Sequence, residues 1–272
     1  MSANPIDPPS APAEQAERAR AQDLLARWDA QQTGYIRHRS ERFATMARLV
    51  AQVCTDVARP RILDLAGGPG SLGFAVTATV PDAQLVVADK DPVLRAIAEN
   101  AAPRDREVLV LDADLDSDGW SEAEAIRRAP FDAVISSTAL HWLRPDALVR
   151  LYFRLAQLVR PGGVFLNGDH LLYDQHHNPV LREVAKHDDQ QVQQSAFAGQ
   201  VENWDQWWQL MSSLPEYADA MRQREIVWGG ERHEPVPKVT LGFHIETLRS
   251  AGFQETGTAW QYLDDYVVYG IR

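Results

Sequence analysis

Hydrophobic and polar residues follow two different patterns along this chain. Short apolar runs predict β-strands at 61–65, 84–88, 107–111, 131–135 and 164–167. Segments with apolar residues at every third or fourth position predict helices at 71–80, 92–100 and 145–159. Because strands and helices alternate, the pattern predicts an α/β domain, with a parallel sheet covered by helices on both faces.

The rest of the chain departs from this alternation. Residues 1–13, with four prolines and few apolar side chains, are typical of a disordered tail. Residues 14–59 predict an N-terminal helical lid, with Gly34 between two helices. Residues 174–238, rich in Gln, His and Trp, are too long for a loop and predict a helical, substrate-side insert. The α/β pattern of 60–173 then returns over 239–272, with a helix at 244–250 and a hairpin of 255–263 with 266–271.

Composition narrows the classes of protein that fit. The formal net charge of −11 argues against a nucleic-acid partner, because binding to phosphates needs a cationic face. The single cysteine, Cys54, excludes an internal disulfide and a cysteine-rich zinc site. The sequence has no apolar run of membrane-spanning length and no signal-peptide pattern. We therefore expect a cytoplasmic protein without a membrane or nucleic-acid partner.

The turn after the first predicted strand has the composition of a ligand-binding loop. Asp64 is followed by Ala66, Gly67, Gly68 and Gly70. Small residues let a ligand approach the backbone, and the next helix begins there with free N–H groups. The alternative is an ordinary sharp turn between a strand and a helix.

Acidic residues also end the next two predicted strands. Asp89 can accept both hydroxyls of a ribose, or it can cap the following helix, which Asp91 can do instead. Asp112 can accept from an adenine amino group. Because parallel strands end at one edge of the sheet, we expect Asp64, Asp89 and Asp112 to converge on one nucleoside.

Together these segments resemble the class I (Rossmann-like) S-adenosylmethionine-dependent methyltransferases, especially those that act on small molecules. Residues 64–70 resemble the family's Asp-x-Gly-x-Gly-x-Gly loop, with Ala66 at the first glycine position, which is tolerable if its φ is not positive. Asp89 matches the ribose-binding acid, with Lys90 beside it. Asp112-Ala113 resembles the element around adenine.

Further motifs extend the resemblance over 60–170 and 240–272. Residues 131–137 resemble the fourth motif, 160–163 resemble the turn before strand five, and the hairpin matches the family's strand order. The resemblance implies a doubly wound, seven-stranded, mostly parallel sheet with an antiparallel last strand. It implies S-adenosylmethionine as methyl donor, S-adenosylhomocysteine as product and a small-molecule acceptor, and it leaves a homodimer open. The cofactor-binding residues that it implies are Asp64, Ala66, Gly67, Gly68, Gly70, Asp89, Lys90, Asp112, Ala113 and Ser136.

In similar enzymes an N-terminal aromatic or basic residue reaches the methionine carboxylate of the cofactor. Tyr35, Arg39 and Arg42 are the candidates here, because helical spacing puts them on a shared face. The alternative is a solvated basic face beside Glu41.

The acceptor side is expected after strands four and five. His141 is a candidate general base because imidazole titrates near neutral pH, although a histidine here is also a feature of the fold without catalytic duty. Trp142, His170 and His176 are predicted to contact the acceptor. Asp169, His170, His176 and His177 have no helix-borne ligand spacing, so no metal is expected. The helical face of Trp204, Trp207 and Trp208 packs as core or, if it faces the pocket, favours an apolar or aromatic acceptor.

We therefore expect methyl transfer to a small molecule, with oxygen slightly favoured over nitrogen or carbon. One alternative is a protein that binds the cofactor without transfer. A nicotinamide-dependent oxidoreductase is disfavoured, because Gly-x-Gly-x-x-Gly does not fit residues 66–71. Nucleic-acid methylation is disfavoured by the acidic charge and by Ser-Ser-Thr-Ala after strand four.

Overall fold

A computed structural model describes residues 11–128, 130–199, 201–229 and 237–272. In chain order the strands are β1 (Arg61–Leu65), β2 (Gln84–Asp89), β3 (Glu107–Asp112), β4 (Phe131–Ser137), β5 (Val159–His170), β6 (Glu255–Tyr262) and β7 (Asp265–Ile271). The helices are α1 (Ala11–Tyr35), α2 (Arg39–Val53), α3 (Ser71–Thr79), α4 (Pro92–Ala101), α5 (Glu124–Arg127), α6 (Pro145–Leu158), α7 (Pro179–Phe197), α8 (Trp204–Ser213), α9 (Ala218–Gly229) and α10 (Leu241–Ala251).

All seven strands join one sheet in the order β3-β2-β1-β4-β5-β7-β6. Every neighbouring pair is parallel except the two that involve β7, which runs antiparallel to both β5 and β6. The prediction of a mostly parallel, seven-stranded sheet with an antiparallel last strand is confirmed. The ends of β1, β2, β3, β4 and β5 lie along one side of the sheet, here named the carboxyl edge.

Alternating strand residues separate the core into two layers. Leu63 and Leu65 of β1 face a layer that includes α6 and α10, whereas Ile62 faces a layer that includes α2 and α3. Side chains alternate between the faces of a strand, so Asp64 shares the face of Ile62. This alternation sends Asp64 toward α3.

The N-terminal helices and the insert pack on each other. Trp28 of α1 and Trp207 of α8 have ring centres 4.9 Å apart, and both belong to a third apolar layer that includes α4. Trp207 is fully buried, while Trp204 is 43% exposed, so the tryptophan face of α8 packs mainly as core. At Gly34 an added Cβ would lie 2.5 Å from the ring of Phe197 on α7. We name α1, α7, α8 and α9 the helical cap.

Several predicted boundaries differ from the structure; β5, for example, begins at Val159 rather than at 164. α1 already begins at Ala11, inside the predicted tail, whose residues 1–10 lie outside the described part. Gly34 does not separate two helices, because α1 continues through Tyr35 and the break comes at His38, with φ 51°. β5 continues to His170, where the prediction ends at 167. In the part of the chain that the structure describes, no helix is long and apolar enough to cross a membrane.

Candidate active site

The turn after β1 lies at the carboxyl edge. Gly68 has φ 55°, its N–H donates to Oδ2 of Asp89 over 2.8 Å, and a Cβ added there would meet only Leu94, at 3.7 Å. Gly68 is itself buried, so its positive φ rather than crowding favours glycine here. Ala66 has φ 48°, so the condition under which alanine would be free of strain is not met, and its Cβ costs about 1 kcal/mol.

The side chain of Asp64 packs against this loop and against the start of α3. Its side chain is completely buried, and its Oδ2 accepts from the N–H of Gly73 over 2.8 Å. Burial raises the pKa of Asp64 to about 7 against this hydrogen bond, and the charge of Asp89 adds to the shift. The prediction that Asp64 lines the nucleoside pocket is corrected, because β1 turns its carboxylate toward α3.

Replacing Gly67 with alanine tests this packing. The added Cβ would lie 2.8 Å from Cγ of Asp64 and 2.9 Å from Val87, so we expect a loss of about 1–3 kcal/mol in the free energy of unfolding, measured in urea. Gly119→Ala is the control, since nothing lies within 4 Å of a Cβ there. Equal stability of the two variants would mean that the loop is not packed on Asp64.

Asp89 is a buried carboxylate at the end of β2. Its Oδ1 accepts from the N–H of Asp91 over 2.7 Å, and its Oδ2 from Gly68. Burial raises the pKa of Asp89 to about 6 against these two hydrogen bonds. Asp91 caps α4 by accepting from Val93 and Leu94, so Asp89 is not the cap. Each Asp89 oxygen keeps a lone pair for a ligand hydroxyl.

Asp112 lies beside Asp89 in register, but its carboxylate faces outward. It is 73% exposed and pairs with Arg95 over 2.9 Å. Ala113 is buried, and its N–H donates to the backbone oxygen of Asp89 over 3.1 Å. The three carboxylates therefore do not converge as expected: Asp64 and Asp89 are both buried, whereas Asp112 lies exposed at the outer rim.

Helix α9 reaches this same corner, which the sequence did not predict. Nε of Arg224 and Nε1 of Trp228 donate to Oδ2 of Asp91 over 2.8 and 3.0 Å. Nζ of Lys90 lies 4.1 Å from the centre of the Trp228 ring. No motif spacing signals these contacts, because the two helical residues meet Asp91 only through the packing of the cap.

The three N-terminal candidates do not share one helical face, because α1 ends before Arg39. The hydroxyl of Tyr35 accepts from the N–H of Trp204 over 3.1 Å. Arg39 pairs with Asp29 over 2.7 Å, and Arg42, fully buried, donates to Oγ of Ser137 over 3.1 Å. Each of the three holds elements of the protein together, but within the described residues Nε of Arg39 and of Arg42 is buried without a hydrogen-bond partner, so contact with the cofactor carboxylate stays a prediction.

His141 and Asp169 form a pair at the ends of β4 and β5. Nδ1 of His141 lies 2.5 Å from Oδ1 of Asp169, and its backbone N–H donates to Oδ2 over 3.0 Å. Burial alone would raise the pKa of Asp169, but His141, His170 and Arg42 together hold it well below its usual range. The carboxylate thus stays ionised and orients the imidazole.

The surroundings of this pair connect it to the glycine turn. Oγ of the buried Ser136 donates to the backbone oxygen of Leu65 over 2.9 Å and so ties β4 to β1, while its contact with a ligand stays a prediction. The ring of Trp142, 67% exposed, has its centre 4.8 Å from that of His141. Nζ of Lys238 donates to the backbone oxygen of His141 over 2.7 Å.

The remaining predicted histidines separate. His170 lies on β5, and its Nδ1 contacts Oδ1 of Asp265. His176 is exposed in a turn where its N–H donates to Asp174 over 2.9 Å, together with His177. The structure therefore does not bring His176 to His170. Within the described ranges, no group of three or more His, Cys, Asp or Glu side chains is arranged to hold a metal.

The strand order, the glycine turn and the acid that ends β2 define the class I methyltransferase fold, so the resemblance stated from the sequence is confirmed. Residues 62–163 match the family described as "Methyltransferase domain". Over 130 residues the chain is 34% identical to a trans-aconitate 2-methyltransferase of Methylobacterium radiotolerans. This match covers 48% of the chain and 45% of the relative, so it spans about half the length of either protein.

Solved structures share the fold at low identity. An O-methyltransferase family protein from Burkholderia thailandensis is 16% identical with a TM-score of 0.53, over 97% of this chain and 73% of the other. An O-methyltransferase family 2 protein from Planctomyces limnophilus, in complex with apigenin, is 18% identical with a TM-score of 0.52, over 97% and 62% of the two chains.

Proposed function

We propose that the protein transfers a methyl group from S-adenosylmethionine to a hydroxyl group of a small molecule, with His141 as general base. The pair of His141 with the buried Asp169 carries this proposal, because methylation of a hydroxyl requires removal of a proton. The pair lies at the same carboxyl edge as the glycine turn.

The residues at the turn fit the cofactor. A Cβ at Gly68 would meet only Leu94, which leaves room beside the turn for a nucleoside, and the free lone pairs of Asp89 suit the two ribose hydroxyls. When bound, the cofactor supplies a methyl group on a positively charged sulfur. The acidic surroundings suit such a ligand better than a pyrophosphate, which disfavours a nicotinamide cofactor.

Asp169 and His141 have different roles in the proposed methyl transfer. Asp169 accepts from Nδ1–H of His141 and so leaves Nε2 of that ring unprotonated. Nε2 takes the proton of the acceptor hydroxyl, and the acceptor oxygen forms its new bond to the methyl carbon as the carbon–sulfur bond breaks. The products are the methyl ether and S-adenosylhomocysteine.

A carboxylate acceptor is the second candidate. It is favoured by the 34% identity to a relative named trans-aconitate 2-methyltransferase. A carboxylate is already ionised near neutral pH, so its methylation needs no base. That reaction would leave the His141–Asp169 pair without a chemical duty, which is why we prefer the hydroxyl.

Calorimetry with S-adenosylhomocysteine and NAD tests the cofactor. We expect micromolar binding of the former alone, and we expect Asp89→Ala to weaken it by about 1.5–3 kcal/mol through lost hydrogen bonds. Asp118→Ala is the control, because that side chain is 94% exposed. Binding of NAD alone would refute the methyl donor, and unchanged affinity of Asp89→Ala would refute the position of the ribose.

A further inference from the structure

Helix α9 is attached to the end of β2 by polar contacts. Nε of Arg224 and Nε1 of Trp228 both donate to Oδ2 of Asp91, over 2.8 and 3.0 Å. Nζ of Lys90 lies 4.1 Å from the centre of the Trp228 ring. Lys90 and Asp91 directly follow Asp89, the acid assigned to the cofactor ribose. We name these contacts of Arg224 and Trp228 the α9 latch.

The groups assigned to the cofactor are covered by protein. Asp89 is only 7% exposed, and Gly68, whose N–H it accepts, is buried as well. A nucleoside can bind these groups only by replacing protein surface that shields them from solvent. At least one neighbouring element must therefore move when the cofactor enters or leaves.

Among the helices packed together at this corner, α9 is held least by apolar burial. Helices α1, α4 and α8 each insert a fully buried side chain into the third apolar layer, namely Leu24, Ile97 and Trp207. By contrast, over the whole described length of α9, Ala218–Gly229, no residue is buried, and Ile226 is 80% exposed. Segments with few buried apolar contacts open at the lowest free energy, so α9 is the element expected to move.

The contact that holds α9 is polar but largely shielded from water. The side chain of Asp91 is 3% exposed and that of Arg224 is 24% exposed. The guanidinium group of Arg224 also stacks on Trp208 of α8, with Cζ 3.6 Å from the ring centre. A charge-assisted hydrogen bond in such surroundings is stronger than an exposed ion pair, yet it can break without unpacking an apolar core. It is therefore suited to reversible closure.

We propose that α9 is a gate of the cofactor site, and that S-adenosylmethionine and S-adenosylhomocysteine exchange only when Arg224 and Trp228 release Asp91. This inference rests on the proposed function, because it requires the nucleoside at Asp89. The latch contacts Asp91 rather than the ligand, so it holds α9 to the same extent with and without the cofactor. It therefore sets the rates of binding and release without setting the affinity.

The test measures association and dissociation of S-adenosylhomocysteine with the full chain by stopped-flow fluorescence. Arg224→Gln removes the charged donor to Asp91. We expect both rate constants to rise by about tenfold, while Kd, their ratio, changes by less than about twofold. Arg222→Gln is the matched control on the same helix, because Arg222 is 68% exposed and pairs with the exposed Asp219, and it should keep both wild-type rate constants.

Trp228→Phe provides a second variant, which decides the question if Arg224→Gln does not fold. It keeps an aromatic ring for Lys90 but loses the N–H that donates to Asp91. We expect both rate constants to rise by about threefold, again with little change in Kd.

Each contrary outcome overturns a distinct statement. A change in affinity carried by one rate constant alone would mean that the latch supports the bound cofactor as fixed structure, which overturns the gate. Unchanged rate constants in both variants would overturn it as well. If the wild type fails to bind S-adenosylhomocysteine, the proposed function itself is overturned, and the gate for this ligand with it.

Discussion

Replacing His141 with asparagine is expected to lower kcat by about 10²–10⁴-fold while the affinity for S-adenosylhomocysteine changes by less than about twofold. The asparagine amide can still donate to Asp169 in place of Nδ1, so the packing at the end of β5 is kept. The variant lacks only the nitrogen that accepts the proton. Transfer to a phenolic acceptor, followed with isotopically labelled methyl donor, measures kcat, and calorimetry measures the affinity.

A second variant, Asp169→Asn, tests which ring nitrogen of His141 carries the proton. An amide can donate to Nδ1 and so move the proton of His141 to Nε2, which would also lower kcat by orders of magnitude. Undiminished kcat in His141→Asn would remove this histidine from the mechanism and favour the carboxylate acceptor. His187→Asn is the control, because His187 is an exposed residue of α7.

The central strands β1, β2 and β4 could be predicted because they are buried on both faces and are therefore almost wholly apolar. The same rule failed at the end of β5, where Gly168, Asp169 and His170 are polar but still belong to the strand. Their strand pairing depends on β7, which lies about a hundred residues further along the chain. Local pattern carries no information about such a partner.

The site was predictable only where the backbone determines it. The glycine turn and the position of Asp89 follow from strand ends, and both lie at the carboxyl edge, joined by the hydrogen bond from Gly68 to Asp89. Side-chain direction does not follow so simply: Asp64 shares a face with Ile62, and the alternation along β1 was the available signal for its burial. Asp265 lies between the two predicted strands of the hairpin, where no motif signals that it contacts His170.

A network of buried charges links that turn to Arg37, between α1 and α2, and to Arg42 on α2. Nε of Arg37 donates to Oδ2 of Asp265 over 2.6 Å, and Nη1 of Arg42 lies 3.6 Å from Oδ1. Arg37 also pairs with Asp264 over 2.5 Å. Burial opposes the ionisation of Asp265, but His170, Arg37 and Arg42 outweigh it and lower its pKa. Asp265 thus neutralises two arginines that have little access to water.

We therefore expect Asp265→Asn to lower the free energy of unfolding by about 3–5 kcal/mol, because it leaves two buried guanidinium groups without their shared counter-charge. Urea unfolding measures the loss. Since the folded pKa of Asp265 is lowered, its contribution is fully present above the unfolded carboxylate pKa and disappears as pH falls through the folded value. The difference between wild type and variant should accordingly shrink in strong acid.

Two further variants test whether the predicted loss of stability arises because the charges are buried. Glu246→Gln breaks an exposed pair with Arg249, and we expect it to cost less than about 1 kcal/mol. Adding Arg42→Met to Asp265→Asn removes one of the unpaired buried charges at similar volume, so it should recover part of the lost stability. If Asp265→Asn were no more destabilising than Glu246→Gln, the arginines must be neutralised by Asp264 and Asp169 instead.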